Sequence, residues 1–226
     1  MAREVEAMFD AIAPAYDRTN TVLSFGLHDA WKRRAVRLAH QARPKRVLDV
    51  ATGTGDLLRL HRRRLDKASA VGLDFSAGML AVAKRRMPDA GLVRGDAMRP
   101  PFPPQAFGAA TIAFGIRNVD DPAACLRALH DVLEPGGRCV VLEFGQPRGW
   151  FRHPYGWYSR HVMPLLGGWL TGNRDAYRYL PETAARFPCG EDFARMMREA
   201  GFHDVRVRAL SGGVAWLYVG TRAGHG

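Results

Sequence analysis

Apolar residues recur at helical spacing through the first forty positions. Val5, Met8, Phe9 and Ile12 form one stripe, and Trp31 to Ala42 continues the pattern until Pro44 stops it. Beyond Pro44 the pattern changes: short apolar runs the length of buried strands alternate with stretches long enough for a helix. Strands are predicted over Arg46 to Val50, Ala70 to Leu73 (ending at Asp74), Leu92 to Arg94, Phe107 to Ala113 and Arg138 to Phe144. Helices are predicted over Asp56 to Leu65, Gly78 to Met87 with Ser76 as its cap, and Pro122 to Leu133. The turn Glu134-Pro135-Gly136-Gly137 precedes the fifth strand. A helix over Glu191 to Ala200 and two strands, Asp204 to Leu210 and Val214 to Thr221, close the chain. Strands separated by helices imply an α/β fold. The sheet is expected to be seven-stranded and mostly parallel with helices on both faces, and the tightly linked last pair implies one antiparallel edge strand.

One stretch breaks the rhythm. Between Gly145 and Phe187, residues Trp150, Phe151, Tyr155, Trp157, Tyr158 and Trp169 stand among glycines and prolines, with Tyr177 and Tyr179 after them. At 226 residues the chain suits one α/β domain. We expect 1–44 to form an N-terminal helical cap and 145–187 an aromatic lid inserted in that domain.

Composition narrows the setting. Cys125, Cys139 and Cys189 have neither metal nor redox spacing, so free thiols in a reducing compartment are expected, and no metal site. Met1 to Asp10 carries charges and lacks the apolar core of a secretory signal, and no run approaches a membrane span, which leaves the cytoplasm as the expected location. The net charge of +11 is spread along the chain, with one local run at His61-Arg62-Arg63-Arg64. Attraction to anionic lipid at the inner face of a membrane, nucleic-acid binding and plain arginine bias all fit that charge.

Chemistry concentrates at Val47 to Asp56. Asp49 ends a strand, and Gly53-Thr54-Gly55 fills the turn after it, where glycines let a ligand approach the backbone. A dinucleotide loop needs a third glycine where Leu58 stands, and no Gly-Lys-Ser/Thr follows, so phosphate cradles are excluded. Asp74 ends the second strand about twenty residues on, placed to accept both ribose hydroxyls of an adenosine. Asp96, in Gly95-Asp96-Ala97 after the third strand, can accept from an adenine amino group. Three such strand ends describe a nucleoside pocket without phosphate.

On these residues the chain resembles class I S-adenosylmethionine methyltransferases, which have a Rossmann-like fold, and more narrowly the ubiquinone/menaquinone biosynthesis C-methyltransferases. The narrower likeness rests on Leu23-Ser24-Phe25-Gly26 with Trp31-Lys32, on Phe114-Gly115-Ile116-Arg117-Asn118-Val119, on Leu133-Glu134-Pro135-Gly136-Gly137 and on Tyr177-Arg178-Tyr179-Leu180. It implies S-adenosylmethionine as cofactor, with contacts from Thr54, Asp74, Asp96, Ala97 and Ala113. The family usually has serine at the last position, so only a backbone contact survives there. Asp49, Gly53 and Gly55 complete the expected cofactor loop.

The resemblance further implies a prenylated quinol acceptor, either demethylmenaquinol or a ubiquinol precursor. Arg117 and Asn118 would then manage the hydroxyl proton. Arginine stays protonated in proteins, so stabilising a developing phenolate suits Arg117 better than acting as a base. Tyr16, His161 and Tyr177 are the candidate substrate contacts. An O- or N-methyltransferase of a soluble small molecule would keep the cofactor pocket and change its wall. A nucleic-acid enzyme would carry an Asn/Asp-Pro-Pro-Tyr signature, which is absent, so no nucleic-acid partner is expected. Peripheral membrane docking and a homodimer are the remaining partner expectations.

Overall fold

The computed structural model describes residues 10, 13, 16–65, 69–147, 149–171 and 183–224. Its strands are β1 (Val47–Val50), β2 (Ala70–Asp74), β3 (Gly91–Arg94), β4 (Phe107–Ala113), β5 (Leu133–Phe144), β6 (Phe202–Leu210) and β7 (Ala215–Arg222). They form a seven-stranded sheet in the order β3-β2-β1-β4-β5-β7-β6. The first five run parallel, and β7 is antiparallel to both β5 and β6. The one antiparallel strand therefore stands one place in from the edge, and β6 is the outermost strand. A tight link can only fold β7 back beside β6, and the remaining open ladder of β5 takes its other side.

Among the described residues the helices are α1 (Tyr16–Leu23), α2 (Leu27–Ala39), α3 (Asp56–Arg62), α4 (Ala77–Arg86), α5 (Pro122–Val132), α6 (Arg152–Trp157), α7 (Met163–Thr171) and α8 (Glu191–Glu199). Their starts follow the expected chemistry. Ser76 accepts from the Met79 amide at the head of α4, and Asp121 accepts from Ala124 at the head of α5, with Pro122 in the first turn. α2 starts at Leu27, four residues earlier than the apolar pattern suggests, and passes into a 3-10 turn at His40–Ala42 before Pro44. α3 stops at Arg62 instead of Leu65. β5 begins at Leu133, so the Glu-Pro-Gly-Gly turn is an irregularity within the strand, with a register shift against β4 between Phe107 and Ala109.

Two apolar layers hold the sheet. On one face Leu126, Leu129, Phe193, Met197 and Tyr218 pack together; on the other Trp31, Ala35, Ala39, Val140 and Leu217 do. Strands covered on both sides need no alternation, which is why β1 is buried at all four positions. The strand order reverses between β1 and β4, opening a crevice at their carboxyl ends. The aromatic stretch after β5 is helical over 149–171, with a π-helical turn at Tyr158–Val162 between α6 and α7. It packs on α1, and the Tyr158 hydroxyl donates to the Leu23 carbonyl at 2.9 Å. Tyr177, on which one substrate expectation falls, lies outside the described residues.

Candidate functional site

The sheet's switch point carries two adjoining cavities, of about 330 Å³ and about 380 Å³. They share a wall made by Ala51, Asp74, Phe75, Gly115 and Asn118. The second runs along Gly95, Asp96 and Ala97. The first passes Asp49 and Thr54 and then widens between α2 and the aromatic helices, where Phe25, Trp31, Phe114, Phe144, Tyr155 and Tyr158 line it.

The glycine loop is built for close approach. Gly53 adopts a left-handed φ of 56° and its amide donates to Asp74 Oδ2 at 2.7 Å. The Ser76 amide takes the other oxygen, Oδ1, at 2.9 Å. Burial pushes the Asp74 carboxyl above its ordinary range, although these amides pull the other way. Each carboxylate oxygen still has a lone pair for a ligand hydroxyl. Gly55, with φ at 88°, lies on neither cavity. A Cβ there would run into Met87 Cε and lie 3.3 Å from Ala83 Cβ, so this glycine serves turn geometry and the packing of α4. The Thr54 hydroxyl bonds the Asp17 carboxylate of α1 at 2.7 Å, which ties the N-terminal helix to the loop.

Asp49 is buried on the floor of the first cavity. Thr52 Oγ1 donates to it at 2.6 Å and Thr111 Oγ1 at 2.7 Å; the parallel register places Thr111 beside Asp49 on the neighbouring strand. Burial outweighs both bonds and raises its pKa to about 6. Thr111 uses its proton on Asp49 and so accepts from His61 Nε2 at 3.1 Å; His61 Nδ1 then accepts from His40 Nε2 at 3.0 Å. Burial holds His61 neutral, with its pKa lowered to about 3.

The pair expected to act on substrate separates. Asn118 lines both cavities, whereas Arg117 lines neither. The Arg117 side chain is buried: Nη1 sits 2.5 Å from Glu143 Oε1 and 2.7 Å from the Phe114 carbonyl. Its guanidinium lies over the Phe144 ring, which does line the cavity, at 5.3 Å. Nε and Nη2 have no hydrogen-bond partner among the described residues. Arg117 thus stands behind the cavity wall, paired with Glu143 on β5.

Asp96 and Ala97 line the second cavity, with Asp96 Oδ1 accepting from the Met98 amide at 2.8 Å, and Ala113 lines the first. His161 is exposed and packs its ring 5.9 Å from Trp157, away from both cavities. Nothing is described of the Tyr16 side chain. Sequence reasoning passed over Lys32, which bonds Asp56 Oδ2 at 3.0 Å on the cavity wall. A signal existed: the buried stripe of α2 is His28, Trp31, Lys32, Ala35, Val36 and Ala39, and Lys32 is a charge where a core residue belongs. His28, Asp29 and Asp56 bring ligand-type atoms within 4.8 Å of one another, but the Lys32 ammonium already occupies the Asp56 carboxylate. Cys125, Cys139 and Cys189 are free thiols, and burial pushes Cys125 up to about 12.

A sheet of this order, with a glycine loop after β1 and carboxylates at the next two strand ends, defines an S-adenosylmethionine-dependent methyltransferase of class I. Its fold is similar to that of a SAM-dependent methyltransferase from Thermotoga maritima, at a TM-score of 0.69 and 20% identity, covering 96% of this chain and 98% of that one. It is equally similar, at 0.69 and 16% identity, to the [4+2]-cyclase SpnF, covering 100% of this chain and 97% of that one, so this fold also carries other chemistry. The chain belongs to the ubiE/COQ5 methyltransferase family, whose model matches residues 1–222. It is 50% identical to the demethylmenaquinone methyltransferase of Thermus thermophilus, across 95% of this chain and all of that protein. It is 41% identical to the ubiquinone/menaquinone biosynthesis C-methyltransferase UbiE of Geobacter sulfurreducens, across 96% of this chain and 88% of that protein.

Proposed function

We propose that the protein methylates a ring carbon of a prenylated quinol, either demethylmenaquinol or a ubiquinol precursor, and that residues 1–44 and 145–187 cap and cover the site of a single domain. The observation that carries this reading is the shared wall. A cavity lined by Asp74, Gly95 and Asp96, suited to a nucleoside, adjoins at Asp74 an apolar chamber suited to a flat ring with a greasy tail. The residues present fit S-adenosylmethionine. Asp96 lies where it can accept from the adenine amino group, Asp74 keeps lone pairs for the ribose hydroxyls, and the buried Asp49 carboxylate faces the chamber as partner for a cationic amino-acid end.

When bound, the cofactor supplies a methyl group made electrophilic by a positively charged sulfur. The chain's own task is to exclude water and to align and activate the ring. Phe114, Phe144 and Tyr155 provide flat apolar surface for it. Asn118, on the wall between the cavities, is the polar group placed to hold the ring hydroxyl whose deprotonation makes the neighbouring carbon nucleophilic. Arg117 acts from behind, holding the short helical turn Ile116–Asn118 against Glu143 and lending positive potential to the wall that meets a phenolate.

The tail implies a membrane. No helix among the described residues is long and apolar enough to cross one. The helical segment over 149–171 nevertheless carries Trp150 and Trp169, 81% and 82% exposed, and Phe25, between α1 and α2, is 79% exposed. Exposed Arg152 and Arg160 accompany these rings. Tryptophan with arginine suits an anionic bilayer surface, so peripheral docking would let the acceptor enter without crossing water. The quinone profile of a cell lacking the protein tests the substrate class: accumulation of a demethylated quinone is expected, and an unchanged profile refutes it.

A further inference from the structure

We infer that Lys32 is the residue that holds the carboxylate of the cofactor's amino-acid end, opposite Asp49, which receives its ammonium. The inference rests on the cofactor occupying both cavities as described above. With the nucleoside beyond Asp74, the rest of the molecule has one direction left, into the first cavity. That cavity's wall offers two buried side chains of opposite charge, Lys32 and Asp49, close enough for the ammonium to bear electrostatically on the carboxylate. A zwitterion is complementary to such a pair, and a plain nucleoside is not.

Lys32 bonds Asp56 at 3.0 Å, and Asp56 also has Arg59 at 3.8 Å and Arg86 at 3.9 Å, so it does not depend on the lysine alone for its countercharge. Of these three cations Lys32 is the one on the cavity wall. Its side chain is only 9% exposed, so bulk water does little to settle that charge. An ammonium has three donors, and the bond to Asp56 uses one. Lys32 also sits in the core-facing stripe of α2, where packing alone would favour an apolar residue. His28, the other polar member of that stripe, is held neutral by burial and by Lys32 itself, so it does not compete for an anion.

Calorimetry with two ligands tests this. S-adenosylhomocysteine has the amino-acid end; 5′-methylthioadenosine lacks it. In Lys32→Met, the affinity for S-adenosylhomocysteine is expected to fall about ten- to a hundred-fold, as for loss of a charge-assisted bond, while methylthioadenosine binding stays level. Equal losses for both ligands, or none for either, overturn the assignment. Asp56→Asn separates holding from mere positioning: it should keep or tighten S-adenosylhomocysteine binding, and a loss matching Lys32→Met would show that the lysine only anchors α3. If Lys32→Met does not fold, decarboxylated S-adenosylmethionine against the unaltered protein decides between the two roles. It must bind at least about tenfold more weakly than S-adenosylmethionine, and equal binding overturns the assignment. Failure of the wild type to bind any of these ligands would instead refute the cofactor reading itself.

Discussion

The two ends of the site are built from opposite materials. At the strand tips, Asp49, Asp74 and the glycine loop are fixed by hydrogen bonds of 2.6–2.9 Å, with partners in the backbone, in the loop itself or on a neighbouring strand. Across the chamber, the link between α1 and α2, α2 itself, α6 and the π-helical turn after it present rings that touch through loose tilted contacts, such as Phe25 with Tyr158 at 5.9 Å. The work divides accordingly. A cofactor of fixed shape is met by preorganised polar groups on the rigid sheet. A flexible lipid tail is met by apolar side chains on helices, which exclude water without demanding one geometry.

A single change should do most damage at the polar end. Asp74→Ala removes the acceptor for both ribose hydroxyls and leaves the Gly53 amide without its partner. Cofactor affinity should drop by about 3 kcal/mol or more, beyond a hundredfold, read by calorimetry. A smaller loss than tenfold would mean the carboxylate does not grip the sugar.

Arg117→Ala should show its effect first in stability. Glu143, only 1% exposed, would keep a buried carboxylate without its cation, at a cost of about 3–5 kcal/mol in urea unfolding. Arg117→Met combined with Glu143→Gln removes both charges and should recover most of that loss. If the recovered double variant still binds cofactor but does not turn over, the potential behind the wall is needed for the chemistry; full turnover would reduce the pair to a structural one.

Asp49 makes the polar end sensitive to pH. Its carboxyl, raised to about 6 from an ordinary 3.8, is largely neutral in the free protein at pH 5, while a cationic amino-acid end needs it charged. Affinity for S-adenosylhomocysteine should therefore rise about tenfold per unit at most as pH approaches 6 from below, and then level off. Stability runs the other way for this group. Burying the neutral acid contributes stability that is complete below its unfolded value and is lost as pH rises through about 6. Asp49→Asn should flatten both profiles, and an unchanged binding profile would exclude Asp49 from the cofactor's cation.

The apolar end should show the smallest change in the test tube. Trp150→Ser with Trp169→Ser touches exposed rings, so stability should move by less than about 0.5 kcal/mol and turnover of a short-tailed acceptor should hold. Co-sedimentation with anionic vesicles at low salt should fall severalfold; retention at the wild-type level would place membrane contact elsewhere.

What the sequence disclosed follows the range of the interactions. Strands buried on both faces announce themselves as apolar runs, and β4 begins and ends where its pattern does, at Phe107 and Ala113. Asp74 and Asp96 were legible because a carboxylate at a strand end has a fixed place relative to the crevice. The position of Arg117 was not, because it depends on Glu143 arriving from a strand that begins sixteen residues later in the chain. The place of His161 was not legible for the same reason: a ring on a helix gives no sign of which way it points until Trp157 packs beside it. The chain His40–His61–Thr111–Asp49 joins four elements by tertiary contact and leaves no local mark. Lys32 did leave one, as a charge inside an apolar stripe, and stripe-breaking charges of that kind warrant inspection before a cavity is known.

The most direct test is transfer itself. The purified protein is mixed with methyl-labelled S-adenosylmethionine and a reduced demethylated quinone in anionic vesicles, and the product is analysed by mass spectrometry and NMR. The account predicts one label per quinone, bonded to a ring carbon beside a hydroxyl. Label on oxygen, or bound cofactor with no labelled quinone, would contradict it.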